Sequence, residues 1–194
     1  MRLAACLLVA SFLASACSVR SPAVEYWTLA ALAPAPAAWD EAGPAVAIGP
    51  VALPRHLDRP QVLVRHDSAR VEPAGLHRWA DPLDDGLGRV LAANLGRSLG
   101  SQRVSAYPVQ PPYALDYRVH LDVERFDGRP GEALVLSARW VITGSAGGQA
   151  LAVERSNIEV PAGESFASFI GAHSLAAAEL AAQMDARLRR LSGD

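Results

Sequence analysis

The chain has 194 residues, with 18 arginines, no lysine and 20 acidic side chains, which gives a net charge of −2. This balance has no basic excess of the kind that favours nucleic-acid binding, so it argues against that class of function. The lack of lysine also excludes a G-x-x-x-x-G-K-[ST] phosphate-binding loop.

An apolar leader precedes Cys17 and has the order of a bacterial lipoprotein signal. Arg2 supplies a positive n-region, residues 3–13 form an apolar stretch of secretory length, and small residues 14–16 lead to the cysteine. This order resembles the lipobox, with alanine where leucine or valine is usual three residues upstream. We therefore expect a signal peptide over residues 1–16 and lipidation of Cys17. The alternative is an ordinary secretory signal cut at the same place, with the cysteine incidental.

The segment after the leader predicts a spacer followed by one folded domain. Residues 17–44 are rich in alanine and proline, and such segments are extended and semi-rigid, which suits a tether between a lipid and a domain. Residues 26–29 are β-prone and could dock as an edge strand. Residues 45–194 are enough for one domain with a sizeable core. One cysteine remains after the leader, so stability must come from packing and not from an internal disulfide.

Hydrophobic periodicity predicts strands and two amphipathic helices along this domain. The first helix begins at Asp81 as N-cap, with Pro82 at its first position, and the second runs from about Ser165 to Leu191. Strands are predicted at residues 46–53, 61–65, 69–72, 103–107, 115–126, 133–143 and 150–160. The last three strands are separated by glycine-containing turns, which predicts an antiparallel meander. The fold class is therefore α/β, a mixed sheet of about five to seven strands with a C-terminal antiparallel meander, covered by two amphipathic helices.

Residue patterns that carry enzyme chemistry are weak in this sequence. Gly144-Ser-Ala-Gly147 lacks the G-x-S-x-G spacing of a nucleophile elbow. Three histidines, His56, His66 and His77, fall in separate turns without the tight spacing of metal ligands. His173 lies close to the apolar face of the last helix, where a packed histidine is expected. We predict no catalytic, cofactor-binding or metal-binding residues.

Two segments, residues 53–60 and 76–82, carry more chemical character than a generic core requires. Each combines apolar, charged and rigid residues, and tryptophan and arginine are the residues most enriched at protein-interface hot spots. The candidate partner interface comprises Leu57, Asp58, Arg59, Pro60, Arg78 and Trp79. The structural alternative is that Trp79 fixes the helix entry to the core and that Asp58 and Arg59 form the turn.

The order of five motifs resembles a known family. These motifs are Tyr26-Trp-Thr-Leu29, Ile48-Gly-Pro-Val-Ala-Leu-Pro54, Leu57-Asp-Arg-Pro-Gln61, Arg78-Trp-Ala-Asp-Pro-Leu83 and Asp116-Tyr-Arg-Val119. Together they are similar to the ABC-type transport auxiliary lipoproteins, the PqiC-like group. The chain departs from the family at Trp27, where tyrosine is common, and at Asp81, where glutamate is usual.

The resemblance implies a non-catalytic lipoprotein on the periplasmic face of the outer membrane. Its expected partners are an MCE-domain protein and often an inner-membrane ABC transporter, in a system that moves phospholipid or other apolar solutes between the membranes and supports envelope integrity. Some relatives self-associate into rings, so a homo-oligomer is compatible with the family. The alternative is a periplasmic lipid-binding carrier lipoprotein, which would need an apolar pocket between sheet and helices to shield acyl chains.

Overall fold

The computed structural model describes residues 22–144 and 149–193, which form one mixed sheet of eight strands with two helices packed on one face. The strands are β1 (Glu25–Trp27), β2 (Val46–Ala52), β3 (Gln61–Arg65), β4 (Val71–Trp79), β5 (Val104–Ala106), β6 (Tyr117–Gly128), β7 (Ala133–Gly144) and β8 (Ala150–Pro161). The helices are α1 (Leu83–Leu99) and α2 (Phe166–Ser192). This architecture confirms the predicted fold class, and the strand number is eight because the three-residue strand β1 joins the seven strands predicted along the domain.

The sheet divides into two branches beyond β6. Strands β6, β7 and β8 form the predicted antiparallel meander. On the other side of β6, its first half pairs in parallel with β2, and β2 in turn pairs with β5. The last residue of β6, Gly128, pairs with Val64 of β3, which carries β4 and β1. Residues 53–60 connect β2 to β3 and therefore lie where the two branches separate.

The core lies between the sheet and the two helices. The strands alternate, so that Val119, Leu121 and Ile142 face the helices while charged side chains such as Asp122 face the open side of the sheet. The largest core side chains have no exposed surface, among them Leu87, Leu91, Leu95, Phe169, Leu180 and Met184. This interface is therefore filled by the protein's own side chains.

The helix ends follow the sequence signals with one shift. Pro82 occupies the N-cap position of α1 without a side-chain hydrogen bond, so the helix starts one residue later than predicted. Asp81 instead forms an ion pair with Arg89 at 2.6 Å. Gly100 ends α1 with φ 67°, a left-handed conformation that glycine adopts without strain. Ser165 caps α2, its hydroxyl accepting a hydrogen bond from the backbone N–H three residues later.

Part of the predicted tether is integrated into the fold. Strand β1 pairs in parallel with β4 at the sheet edge, with Trp27 opposite Trp79, and Leu29 is buried in the core. The prediction that residues 26–29 dock as an edge strand is therefore confirmed for Tyr26 and Trp27. Packing of the chain onto the domain begins at β1, well before residue 45.

Residues 25–43, which comprise β1 and the segment that crosses the helices after it, are called the strap. The carboxamide oxygen of Asn94 accepts hydrogen bonds at 2.8 Å from the backbone N–H groups of both Leu32 and Ala33. Arg97 donates to the carbonyl oxygens of Ala31 and Ala33 at 3.0 and 3.1 Å. These two α1 side chains satisfy backbone groups that would otherwise lie unpaired against the helix.

A buried carboxylate at the end of β6 ties the two branches together. The Asp127 side chain has no exposed surface, and its oxygens accept hydrogen bonds from Arg65 at 2.6 and 2.8 Å and from Arg125 at 2.8 Å. Burial alone would raise the pKa of Asp127, but the hydrogen bonds and charges of the two arginines outweigh it and lower that pKa below its usual value. Arg65 neighbours Val64 in β3, so this ion pair reinforces the single backbone pairing between Val64 and Gly128.

We predict that Asp127→Asn lowers the free energy of unfolding at pH 7 by about 2 kcal/mol, because the hydrogen bonds of two arginines to a buried carboxylate lose their charge. The pKa of Asp127 is depressed in the folded state, so the stability it supplies is complete above the unfolded pKa and is lost as pH falls through the folded pKa. Urea unfolding of both proteins should therefore show a difference at pH 7 that shrinks below about pH 4. A difference that stays constant over this range would contradict the electrostatic explanation.

Candidate functional site

The structure brings the two candidate segments side by side. The backbone N–H of Trp79 donates to the carbonyl oxygen of Pro60 at 2.7 Å, and Gln61 lies opposite Arg78 in the β3–β4 ladder. Together the segments line a recess of about 320 Å³, which we call the fork recess because it lies where the sheet branches separate. Its walls are Asp58, Arg59, Pro60, Trp79, Ala80, Asp81, Pro82 and Leu83.

The fork recess has an apolar floor and a charged rim. Trp79 and Leu83 are buried and form the floor, while Asp58, Arg59 and Asp81 are exposed. Such an arrangement can take an apolar side chain at its centre and hydrogen bonds around it, which is the composition of a protein–protein contact. Its walls come from a strand end, a helix start and a proline-containing turn, and the recess is therefore present in the single chain.

Trp79 and Arg78 face opposite sides of the sheet, although they are adjacent in sequence. The Trp79 ring meets the His173 ring edge-on at 5.3 Å on the helix side, and only 7% of Trp79 is exposed. Arg78 therefore points to the open side, where Tyr26 is its neighbour in the parallel β1–β4 pairing. The Nε atom of Arg78 is buried without a hydrogen-bond partner among the described residues.

The six candidate residues thus divide into three groups. Leu57, at 3% exposure, and Trp79 belong to the core, and Trp79 also lines the fork recess. Asp58, Arg59 and Pro60 are exposed at its rim. Arg78 lies on the opposite face of the sheet.

The candidate interface omitted residues 80–83, although Ala80, Asp81, Pro82 and Leu83 all line the fork recess. Residues 80–82 lie in the 76–82 segment, but only Arg78 and Trp79 of that segment were candidates. The available signal was that the predicted helix begins inside this segment. A helix that begins within a few residues of a candidate segment presents its first turn to the same site.

His173 lies beneath the fork recess as a core residue. Its ring contacts Trp79, Phe126 and Phe169, with centroid distances of 5.3, 4.9 and 4.6 Å, and its Nδ1 lies 2.9 Å from the carbonyl oxygen of Phe169. Complete burial lowers the pKa of His173 to about 4, against smaller opposite effects of that carbonyl and of Asp127. The ring is therefore neutral at physiological pH, with Nδ1 donating to the carbonyl.

The remaining sequence-level candidates are not brought together as a reactive site. His66 pairs with Glu72 at 3.2 Å, and His77 Nδ1 accepts a hydrogen bond from Trp27 at 3.1 Å. Within residues 22–144 and 149–193, no three metal-ligating side chains form a group. Ser145 of the Gly144–Gly147 segment lies outside the described residues.

Neither described helix combines the length and hydropathy needed to cross a bilayer.

Comparisons with known proteins agree on a family and a fold. A family model described as "ABC-type transport auxiliary lipoprotein component" matches residues 27–185. No curated protein sequence matches the chain significantly.

Among solved structures, an uncharacterized protein aligns with a TM-score of 0.70 at 21% identity, covering 86% of this chain and 99% of that one. Protein XCC0632 from Xanthomonas campestris, of family DUF330, aligns with a TM-score of 0.70 at 18% identity, over 88% and 100% of the two chains. A PelC dodecamer from Paraburkholderia phytofirmans aligns with a TM-score of 0.44 at 14% identity, over 78% and 91%. The first two matches show a shared fold alone.

We predict that the buried neutral His173 makes stability depend on pH. Its folded pKa of about 4 lies below the usual 6.5, so stability is complete above pH 6.5 and falls by about 3 kcal/mol as the pH drops towards 4. In His173→Gln, which cannot take up this proton, the free energy of unfolding should be lower at pH 7 through lost packing but nearly constant between pH 6.5 and 4.5. Equal pH slopes in the two proteins, measured by urea unfolding, would contradict this role.

Proposed function

Because the chain belongs to the ABC-type transport auxiliary lipoprotein family, we propose that it is a non-catalytic, lipid-anchored docking subunit of an MCE-type transport system. Its partners are an MCE-domain protein and, in systems that contain one, an inner-membrane ABC transporter. The system moves lipid or another apolar solute between the two membranes and so supports envelope integrity. The protein resides on the periplasmic face of the outer membrane, held there by acyl chains on Cys17.

The fork recess is the observation that carries the docking role. It is a preformed cavity with an apolar floor, and its rim presents Asp58, Arg59 and Asp81. Buried anchors surrounded by polar contacts dominate the energetics of protein interfaces. A partner loop that inserts one apolar side chain between Pro60 and Pro82 would meet this arrangement, with no chemistry required of the recess itself.

The position of β1 supports an anchor close to the folded domain. Seven residues lie between Cys17 and Glu25, the first residue of β1, and the eight Cα-to-Cα steps that join the two span at most about 29 Å when extended. A domain held this close to a membrane surface is positioned to receive the end of a partner that reaches across the periplasm.

The alternative function, a carrier that shields acyl chains in its own pocket, has weaker support. The space between sheet and helices is filled by fully buried side chains such as Leu91, Phe169 and Met184. An apolar groove of about 550 Å³ does lie between α1 and β5. Its lining residues Tyr107 and Val109 are 56% and 66% exposed, so an acyl chain lying there would remain largely in contact with water.

We predict that Cys17 carries the membrane anchor. Mass spectrometry of the mature protein should find an N-terminal cysteine that carries acyl chains. We expect more than one acyl chain, because a single one binds a membrane only reversibly. Cys17→Ala should move the protein from the membrane to the soluble periplasmic fraction. A mature terminus without acyl groups, or unchanged membrane retention of the variant, would exclude this anchor.

We predict that Arg59→Glu weakens capture of the MCE-domain protein from detergent extracts by about tenfold, because the reversed charge lies at the rim of the fork recess. Arg70→Glu is the matched control, since Arg70 is also exposed but lies at the opposite end of the β3–β4 hairpin. Both variants should unfold at the same temperature as the wild type. If both variants retain wild-type capture, the fork recess is not the docking surface.

A further inference from the structure

Strand β8 is a long edge strand of the sheet. Within the described ranges it pairs only with β7, and its other side is open from Ala150 to Pro161. Helix α2 packs on one face of β8, and its hydrogen bonds to β8 among the described residues go to the side chains of Ser156 and Glu154 and not to backbone groups. An open strand edge presents unpaired N–H and C=O groups to other strands, so long uncovered edges are sites of strand addition.

The hydrogen bonds of the meander show which residues of β8 point outward. Ala162 donates its N–H to the carbonyl oxygen of Glu132, and Arg129 donates to Ala133 across the neighbouring ladder. Hydrogen-bonded and non-hydrogen-bonded pairs alternate in antiparallel ladders. Both observations therefore show that the even-numbered residues of β8 direct their backbone N–H and C=O groups towards β7. The odd-numbered residues between 153 and 159 therefore direct their backbone groups outward.

The side chains of β8 do little to block this edge. Val153 and Leu151 are large apolar residues with exposures of 62% and 43%, and β8 has no lysine, a residue that commonly protects natural edge strands. The register shift of the β7–β8 ladder lies at the start of β8, where Ala152 and Ala150 pair with Ile142 and Thr143, and residues 152–161 pair with β7 without interruption. The proline of β8, Pro161, is its last residue. Glu159 has no ion-pair partner among the described residues, although Arg155 pairs with Glu124 at 3.0 Å.

We propose that β8 pairs antiparallel with β8 of a second copy of this chain, about a twofold axis at Asn157. The two sheets then continue as one, with the helices of both copies on the same side. In this arrangement an odd-numbered residue pairs with an odd-numbered residue of the second copy, because side chains alternate between the faces of a sheet and paired residues share a face.

Charge complementarity selects this register. With the axis at Asn157, Arg155 lies opposite Glu159 of the second copy, and the symmetry repeats this pair. Val153 then lies opposite Pro161 of the second copy. With the axis at Arg155, two arginines would face each other, and with the axis at Ser156, Val153 would face Glu159. Opposite charges directly across a strand pair stabilise it, and like charges destabilise it.

Disulfide trapping tests the position of the axis. In Asn157→Cys, the two introduced thiols lie on residues about 5.5 Å apart at Cα, within the range that a disulfide spans. Oxidation of the full-length lipoprotein in membranes should therefore convert most of it to a covalent dimer. Val153→Cys is the matched control, because its two copies lie about 26 Å apart in this register and should not cross-link. The wild type reports any cross-linking through Cys17.

Charge exchange tests the pairing independently. Glu159→Arg should weaken dimerisation of the detergent-solubilised protein by roughly tenfold in sedimentation experiments, since two attractive pairs become repulsive. The double variant Arg155→Glu with Glu159→Arg should restore it. A wild-type monomer, cross-linking of Val153→Cys in place of Asn157→Cys, or no effect of Glu159→Arg would each overturn the proposal.

Discussion

The ion pair between Asp127 and Arg65 connects the two branches of the sheet where a single backbone pair joins them. The branch formed by β3, β4 and β1 meets β6 through one parallel backbone pair, Val64 with Gly128. The residues next to this pair in both strands are Arg65 and Asp127, and Arg125 adds a second cation to the same carboxylate. Removing water from a charge is costly, and these two arginines compensate for it at a position where backbone hydrogen bonding is sparse.

The geometry of the fork recess depends on this joint. One wall of the recess belongs to the turn before β3 and to the end of β4, while the other belongs to the first turn of α1, which packs on the β2 side. The two walls therefore belong to different branches, and the distance between them is set by how the branches diverge from β6. Trp79 and His173 fill the space beneath, so the recess rests on a packed aromatic core. For the docking role proposed above, a recess whose walls are already in place limits the entropic cost of association.

Periodicity allowed the meander and both helices to be predicted from sequence, because each is long enough for a strand or helix repeat to stand out. The full length of β4 was not predicted: the predicted strand covered residues 69–72, but β4 runs from Val71 to Trp79, with Gly75 at φ 53° and a register shift against β3. Once β4 is extended, strand alternation alone separates Arg78 from Trp79. The packing of the strap on the helices was not predicted either, because Asn94 and Arg97 form hydrogen bonds with backbone groups more than sixty residues away in the sequence.

The strap stands in series between the proposed acyl anchor and the domain, and this has a mechanical consequence. Tension along the chain would act first on the three residue pairs of β1 with β4, and next on the hydrogen bonds to Asn94 and Arg97. While these contacts hold, the domain stays within about 29 Å of its attachment point. If these contacts broke as far as Pro44, the chain from Cys17 to Pro44 would extend to about 95 Å. The same segment of chain can thus hold the domain close to the anchor without tension and let it move further away under tension.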